Sequence, residues 1–509
     1  MDYEYEVVEP YASALIESLR AYGYTTATAV ADIIDNSISA GAKNVWLTFH
    51  WNGPDSYILI LDDGWGMDET KLRDAMRPGS RNPLEKRDPR DLGRFGLGLK
   101  TASFSQCRRL TVASRTKIDP VSVRRWDLEH VARVNKWELL KSPASQSAQR
   151  LESLGNIPSG TLVLLECLDR IVSQAPPSDN VAHDQFLNLI DDIEDHIAMV
   201  FHRFLEEPSR LKIFINGTEN EYRVKPWDPF LNSHLATITF PVEHIECGQS
   251  EIVVQGFVLP HKDKLGDQLH SVASGPAGWN AQQGFYVYRN QRLLVAGNWL
   301  GLGSGRPWTK EEHYKLARIR LDIPNSLDMD WQIDVKKSTA KPPVTVRKRL
   351  KDLADEVRRQ AREVFAHRGS YRPRDENQAT TRAWVSVRSQ GRIRYKIDRT
   401  HPLVNGVLEY NTDLRAAVEA MLRTLEETVP IQKIWLDTAE HPDLHTRPFE
   451  QVPEDDIRKI IFSILAVLLR DNLPEEQAFE MIASMDAFLD YRQLVDKVAE
   501  ERRRYVCEC

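Results

Sequence analysis

Residues 32–37 read Asp32-Ile-Ile-Asp35-Asn36-Ser37, a polar group set within an apolar pattern of helical spacing. The pattern follows a break at Gly23-Tyr24, so we predict that a helix begins near residue 25. Because Asp32 and Asn36 are four residues apart, their side chains share one face of this helix. A carboxylate beside an amide can position a water molecule and bind Mg²⁺. Taken alone, the same residues also suit an ordinary polar helix surface.

A second polar cluster, residues 62–67 (DDGWGM), follows directly after an apolar run at residues 57–61 that predicts a strand. A carboxylate at the end of a strand can accept a hydrogen bond from an exocyclic amine, such as that of adenine. Glycines beside it allow the backbone to approach a flat base closely. A simple turn is the alternative, because Asp-Gly is common in turns.

A third cluster, residues 93–101 (GRFGLGLKT), places three glycines before a predicted helix. Exposed backbone N–H groups and a helix N-terminus bind phosphate oxygens, and Lys100 would add positive charge. The run fits neither GxxxxGK[ST] nor GxGxxG, which argues against a P-loop or a Rossmann site. A fourth cluster, Ser159-Gly160-Thr161, begins a predicted strand, and its hydroxyls would reach a base bound near residue 63.

Composition and length limit the class of protein. The chain has 509 residues, of which 41% are hydrophobic and 28% are charged, as in soluble globular proteins with about three to four domains. There is no apolar run of about 18 residues, so we expect no transmembrane helix and no membrane partner. The acidic start (MDYEYEVVEP) lacks the features of a signal peptide, and five cysteines suggest reduced thiols. We therefore expect a cytoplasmic protein.

The order of predicted elements indicates an α+β fold class with four segments. Residues 1–205 alternate helices and strands, residues 206–343 are rich in strands, residues 344–400 form a basic helix and a hairpin, and residues 401–509 are helical. Between Lys341 and Arg399 there are 17 lysines and arginines against 7 acidic residues, a net charge of +10 in a chain of net charge −7. Such a segment is typical of a DNA-contacting surface, although alternating acids also suit a solvated helix.

The four clusters together, in this order and spacing, resemble the GHKL superfamily of ATPases, whose members include DNA gyrase, MutL, heat-shock ninety chaperones and histidine kinases. More narrowly, LIESLRAYGY, AMRPGSR and DLGRFGLGLKTASFSQC resemble prokaryotic MORC-like ATPases from restriction-modification-like, anti-phage loci. The resemblance covers residues 1–345. It implies a Bergerat-type α/β sandwich that binds ATP and Mg²⁺, a ribosomal-protein-like transducer domain at 206–343, and a helical C-terminal region.

The resemblance also implies a role for individual residues. Asp32 would be the general base, where the family usually has Glu, and Asn36 would bind Mg²⁺ with support from Asp35. Residues 82–92 would form a lid, and Lys337 of the transducer, with Lys336 in reserve, would reach the γ-phosphate. The remaining expected contacts are with adenine at Asp63, Gly64, Gly66, Met67 and Thr161, and with phosphates at Gly93, Gly96, Gly98, Leu99 and Lys100.

The function that follows is an Mg²⁺-dependent ATPase clamp, which dimerises on ATP and serves a DNA-directed anti-phage system with partner proteins. DNA contact is expected through residues 341–399. Two alternatives stay open. Because Asp is one methylene shorter than Glu, the chain could bind ATP as a scaffold with little hydrolysis. A chaperone-like GHKL ATPase shares the same fold. A histidine kinase is excluded by the lack of any histidine before His50.

Overall fold

The computed structural model describes residues 3–4, 6, 8, 10–21, 23–79, 98–172, 175–206, 211–333, 340–366, 381–389, 392–410, 412–440, 448–470 and 472–507. The chain divides into two compact units, Met1–Ala366 and His367–Cys509. Residues 344–400, which the sequence suggests as one segment, fall on both sides of this division.

The first unit begins with a six-stranded sheet of order β4-β3-β5-β2-β1-β6. Neighbouring strands are antiparallel except β1 and β6, which are parallel. The register places Asp62, the last residue of β2, opposite Thr161 near the start of β5. The strands are β1 (Asn44–His50), β2 (Tyr57–Asp62), β3 (Arg109–Arg115), β4 (Ser122–Asp127), β5 (Gly160–Glu166) and β6 (Lys212–Ile215).

Helices cover one face of this sheet. Alternation along β2 sends Ile58 and Ile60 into the main core beneath the helices, while Leu59 and Leu61 pack in a smaller core on the opposite face. A 3₁₀ helix at Gln149–Asn156 contributes Leu151 and Leu154 to that smaller core. The helices are α1 (Ala12–Arg20), α2 (Thr26–Ser39), α3 (Glu69–Met76), α4 (Gly98–Phe104), α5 (Leu128–Val134), α6 (Asn180–Val200) and α7 (His202–Leu205).

A second sheet of order β11-β10-β12-β9-β7, with β8 paired to β9, follows in the same unit. Its strands are β7 (Ile238–Thr239), β8 (Glu243–Cys247), β9 (Ser250–Val258), β10 (Gly284–Arg289), β11 (Arg292–Asn298) and β12 (Ala317–Ile323). Its helices are α8 (Lys262–Leu265), α9 (Asp267–Ala273), α10 (Gly278–Ala281) and α11 (Val344–Ala366). Helix α11 buries Val346, Leu350 and Val357 in the core of this sheet, so the basic helix belongs to the first unit.

The second unit contains the predicted hairpin and a helical region. Its strands are β13 (Trp384–Ser389) and β14 (Arg392–Ile397), which pair antiparallel. Its helices are α12 (Pro402–Tyr410), α13 (Thr412–Glu427), α14 (Ile431–Glu440), α15 (Glu454–Arg470), α16 (Glu475–Ser484) and α17 (Arg492–Cys507). The predicted fold class, α+β with a helical C-terminal region, is confirmed. Among the residues described, no helix has the length and apolarity needed to cross a membrane.

Candidate functional site

Helix α2 carries the first polar cluster on a stable scaffold. The Thr25 hydroxyl accepts a hydrogen bond from the Thr28 N–H at 3.2 Å, which caps the helix N-terminus. Val30, Ile33 and Ile34 anchor the helix in the core. Its polar residues Asp32, Asp35 and Ser37 are also buried, whereas Asn36 is exposed. Because a buried carboxylate needs a partner, these polar residues require specific contacts.

The carboxylate of Asp32 has a fixed orientation. The Tyr24 hydroxyl donates to Asp32 Oδ2 at 2.9 Å, in a buried hydrogen bond. A Cβ added to Gly98 would lie 3.9 Å from the same Oδ2, so the start of α4 faces this carboxylate. Asn36 Nδ2 donates to the Asp32 carbonyl oxygen at 3.1 Å, which leaves Asn36 Oδ1 as the oxygen that the exposed amide offers. An amide oxygen beside a carboxylate fits the oxygen ligands that Mg²⁺ prefers.

Asp62 forms a second polar centre, facing α2 from the end of β2. Its Oδ1 accepts hydrogen bonds from the N–H groups of Gly64 at 2.9 Å and Thr161 at 3.3 Å, and its Oδ2 accepts one from the Ser37 hydroxyl at 2.9 Å. Burial raises the pKa of the Asp62 carboxyl to about 6, although these three hydrogen bonds lower it. The charge of Asp63 raises it slightly further. The group is therefore mostly ionised near pH 7 and can accept a hydrogen bond from an amine.

Asp63, which the sequence suggests as the adenine contact, has a different environment. Its Oδ1 accepts hydrogen bonds from the backbone N–H groups of Lys43 and Asn44 at 2.7 and 2.8 Å. Its Oδ2 accepts one from Asn44 Nδ2 at 2.7 Å. These contacts join the end of β2 to the start of β1. Asp62, rather than Asp63, is therefore the carboxyl that contacts both α2 and Thr161.

Ser114 of β3 ties the glycine cluster to Thr161. Its hydroxyl accepts a hydrogen bond from the Met67 N–H at 2.8 Å and lies 2.9 Å from the Thr161 hydroxyl. Gly66 has a φ of 72° and packs so closely that a Cβ would lie 1.8 Å from the Arg115 carbonyl oxygen. Only glycine fits this position. Gly64, Gly66, Met67 and Thr161 are thus held in one hydrogen-bonded cluster around Asp62.

The described part of the third cluster is helix α4. Lys100 is buried, and its Nζ donates to the Ala75 carbonyl oxygen at the end of α3, at 3.0 Å. Leu99 is partly buried against the core. Gly98 begins the helix. Gly93, Gly96, the predicted lid at 82–92, Lys336 and Lys337 lie outside the described residues.

Asp35 points to the second sheet. Its carboxylate accepts a hydrogen bond from Arg292 Nε of β11 at 3.0 Å, and both side chains are buried. Five residues of this network were given no individual role from the sequence: Tyr24, Ser37, Asp62, Ser114 and Arg292. For Asp62 a signal exists, because period-two alternation places it on the face of Ile58 and Ile60, toward the helices. Tyr24 and Arg292 have no comparable local signal.

Comparisons with known proteins agree with this geometry. Residues 24–161 match the family model of histidine kinase-, DNA gyrase B- and HSP90-like ATPases. The DNA mismatch repair protein MutL of Clostridium acetobutylicum is 32% identical over 90 residues, which cover 17% of this chain and 14% of that protein. MutL of Rhodospirillum rubrum is 34% identical over 90 residues, covering 18% of this chain and 14% of that protein.

The matched stretches are short relative to these relatives, so the likeness concerns one domain. The family match runs from Tyr24 to Thr161 and therefore includes both polar centres. The MORC-like subgroup suggested by the sequence is not among these matches. Residues 24–161 are therefore similar to the ATPase domain of histidine kinase-, DNA gyrase B- and HSP90-like proteins.

Proposed function

We propose that this chain is an Mg²⁺-dependent ATPase that binds the adenine of ATP at Asp62. The observation that carries the proposal is the Asp62 cluster, a buried carboxyl held between Ser37, Gly64 and Thr161 within the matched domain. Its carboxylate accepts a hydrogen bond from the exocyclic amine of adenine. A guanine base presents a carbonyl oxygen at the corresponding position, which an ionised carboxylate repels.

The hydrolytic end of the site lies along α2. Asp32 would act as the general base for the attacking water, since its carboxylate is oriented by Tyr24 and faces the start of α4. Asn36 would hold Mg²⁺ through Oδ1, and the bound ion would supply positive charge to the phosphate oxygens. Gly93, Gly96 and Gly98 would offer N–H groups to the phosphates, with Lys337 adding charge from the second sheet's side.

The biological setting that we propose is a MORC-like clamp that dimerises on ATP binding, in a DNA-directed anti-phage system with partner proteins. Its support is the sequence resemblance given above. The names of the two MutL relatives concern DNA mismatch repair in those proteins. A DNA-linked role for this chain is consistent with that likeness.

Within residues 341–399, we propose the hairpin rather than the helix as the DNA contact. On α11, Arg347 donates to the Gly301 carbonyl oxygen at 2.7 Å, Arg349 pairs with Glu243, and Arg358 is buried between rings. These arginine side chains therefore stabilise the second sheet. On the hairpin, Trp384 and Tyr395 are 41% and 46% exposed, and their cross-strand register puts them on one face. Exposed aromatic rings beside basic residues suit stacking with bases.

A second candidate function, ATP binding with little hydrolysis, is favoured by one observation. Asp32 is shorter than the Glu usual in the resembled family, and its Oδ2 is already engaged by Tyr24. A water molecule must therefore approach closely to lose a proton to it. The two functions differ only in turnover.

The test is nucleotide binding by calorimetry and ATP turnover with purified full-length protein. We expect binding of ATP with Mg²⁺ and weaker binding of GTP. Asp62→Asn should abolish binding, and Asp32→Ala should retain binding but remove turnover. Asn36→Ala should lose the Mg²⁺-dependent part of the affinity. Absence of binding to any nucleoside triphosphate would refute the proposal, and binding without turnover in the wild type would select the second candidate.

A further inference from the structure

A buried ion pair connects the two sheets of the first unit at α2. Arg292 Nε of β11 lies 3.0 Å from Asp35 Oδ1 and 3.4 Å from Oδ2, although 257 residues separate the two in the chain. The two side chains are 5% and 2% exposed. The Arg292 guanidinium carbon also lies 4.9 Å from the centre of the Phe201 ring, and its Nη1 donates to the Leu293 carbonyl oxygen. The arginine is therefore held on several sides.

A described neighbour of this pair, His196, adds no charge to it near pH 7. His196 of α6 lies in electrostatic range of both residues, and its Nε2 is buried with no hydrogen-bond partner among the described residues. Burial and the charge of Arg292 lower the pKa of His196 to about 4, so its ring is neutral near pH 7. Removing one member of a buried pair leaves an uncompensated charge. Arg292 is thus a buried cationic partner of Asp35 that helps to hold this side chain in place.

The location of Asp35 on α2 makes this contact functional. It precedes Asn36 directly and follows Asp32 by three residues, so one helical turn carries all three side chains. A helix with buried apolar residues moves as a stiff element. Whatever fixes Asp35 therefore also fixes the rotation and height of the Asp32 carboxylate and the Asn36 amide.

We propose that Arg292 is a positioning residue, which acts through Asp35 to hold Asp32 and Asn36 in the geometry that water activation and Mg²⁺ binding require. This inference rests on the proposed ATPase function. It assigns to the second sheet a contact with the hydrolytic site that is separate from the proposed role of Lys337. Arg292 touches neither base nor phosphate in this scheme.

The first unit contains a second ion pair that can serve as a control for the pair of Arg292 and Asp35. Arg203 of α7 pairs with Asp322 of β12, and its guanidinium carbon lies 3.4 Å from the centre of the Tyr288 ring. This pair also joins the first part of the chain to the second sheet. Its residues are neither on α2 nor bonded to it in the described contacts. Arg203→Met therefore removes a comparable link without disturbing Asp35.

The experiment compares Arg292→Met, Arg292→Lys and Arg203→Met in the full chain. Turnover is measured as kcat and KM, and ADP binding is measured by calorimetry with Mg²⁺ and with EDTA. For Arg292→Met we expect kcat and Mg²⁺-dependent affinity to fall about 10–100-fold, as for residues that orient a metal ligand. ADP affinity in EDTA should stay within about 3-fold, because Asp62 and Thr161 bind the base from β2 and β5.

Arg292→Lys keeps the charge but not the guanidinium geometry, so kcat should lie between those of Arg292→Met and wild type. Arg203→Met should keep kcat within about 2-fold of wild type, even where its melting temperature falls. A wild-type kcat in Arg292→Met, or an equal loss in Arg203→Met, would overturn the inference and leave the ATPase proposal intact. If Arg292→Met does not fold, a wild-type kcat in Arg292→Lys would overturn it instead. If the wild-type chain binds no nucleotide, the proposed ATPase function itself is refuted.

Discussion

The carboxyl of Asp62 gives the sharpest test of the site, because its ionisation should cost the folded protein stability. Burial raises its pKa from 3.8 to about 6. A difference of about 2 pKa units corresponds to about 3 kcal/mol between the two protonation states. Below about pH 3 the group is protonated in both the folded and the unfolded chain, so there is no cost. As the pH rises from 4 to 6 the unfolded chain ionises first, and the folded state loses up to that amount.

The variant Asp62→Asn removes the ionisation and keeps the shape. An amide oxygen can still accept the N–H groups of Gly64 and Thr161, and the amide nitrogen can donate to the Ser37 hydroxyl. We therefore expect the unfolding free energy of the variant, relative to wild type, to rise by up to about 3 kcal/mol between pH 4 and pH 7 and then to level off. Urea denaturation at each pH unit measures this difference, and groups that titrate alike in both proteins cancel.

Two further measurements test whether the effect comes from ionisation of Asp62. If adenine binds the ionised form, nucleotide binding at pH 6 should release about 0.5 proton, which calorimetry in two buffers of different ionisation enthalpy detects. In the neighbouring variant Asp63→Asn, the free energy of unfolding should fall by about 1 kcal/mol, because the change disturbs the hydrogen bonds to Lys43 and Asn44. Its nucleotide affinity should be unchanged. A stability difference between Asp62→Asn and wild type that stays constant from pH 4 to 7 would refute the reasoning.

Three other perturbations have defined outcomes. Gly66→Ala should lower stability by more than about 2 kcal/mol and weaken nucleotide binding, because its Cβ would lie 1.8 Å from the Arg115 carbonyl oxygen; thermal melting and calorimetry check both. Arg358→Leu should lower the free energy of unfolding by about 2 kcal/mol, since the Arg358 guanidinium carbon lies 4.1 Å from the Trp308 ring centre. The control Arg359→Leu, on the exposed face of the same helix, should change it by less than about 0.5 kcal/mol. The Cys107 thiol is fully buried, and burial raises its pKa far above the usual range, so it should resist iodoacetamide at pH 8 until urea unfolds the chain; peptide mass spectrometry would reveal labelling of the folded form as a contradiction.

The elements of residues 24–161 were predictable because their signals are local. Helix α2 follows from apolar spacing after a glycine break, and β2 follows from a short apolar run before Asp-Asp-Gly. The sequence pattern does not by itself separate Asp62 from Asp63. Both stand before the same glycine, and only the side on which each carboxyl emerges separates them. Counting the alternation from Ile58 and Ile60 would have selected Asp62, since the same strand face meets Ser37.

The sequence predicts the excess of positive charge in residues 341–399, but it does not predict which of these side chains are exposed. From the sequence, every arginine of residues 341–399 is an equal candidate for phosphate contact. In the fold, Arg347 and Arg349 contact Gly301 and Glu243, and Arg358 lies between aromatic rings. These partners lie from about 44 to 106 residues away in the chain. A charge count cannot reveal such pairing, because it contains no information about long-range contacts.

The contacts of α2 explain why the site needs both sheets. Ser37 joins the helix to the Asp62 carboxyl on β2, Tyr24 orients Asp32 from the segment before the helix, and Arg292 contacts Asp35 from β11. A helix of 14 residues with a buried apolar face moves as one body, so a displacement imposed at one contact reaches the other two. The base and the second sheet therefore act on the same element from different directions. Since Asp32 and Asn36 lie on the same helix within five residues of both contacts, the proposed water activation and metal binding should depend on both being in place.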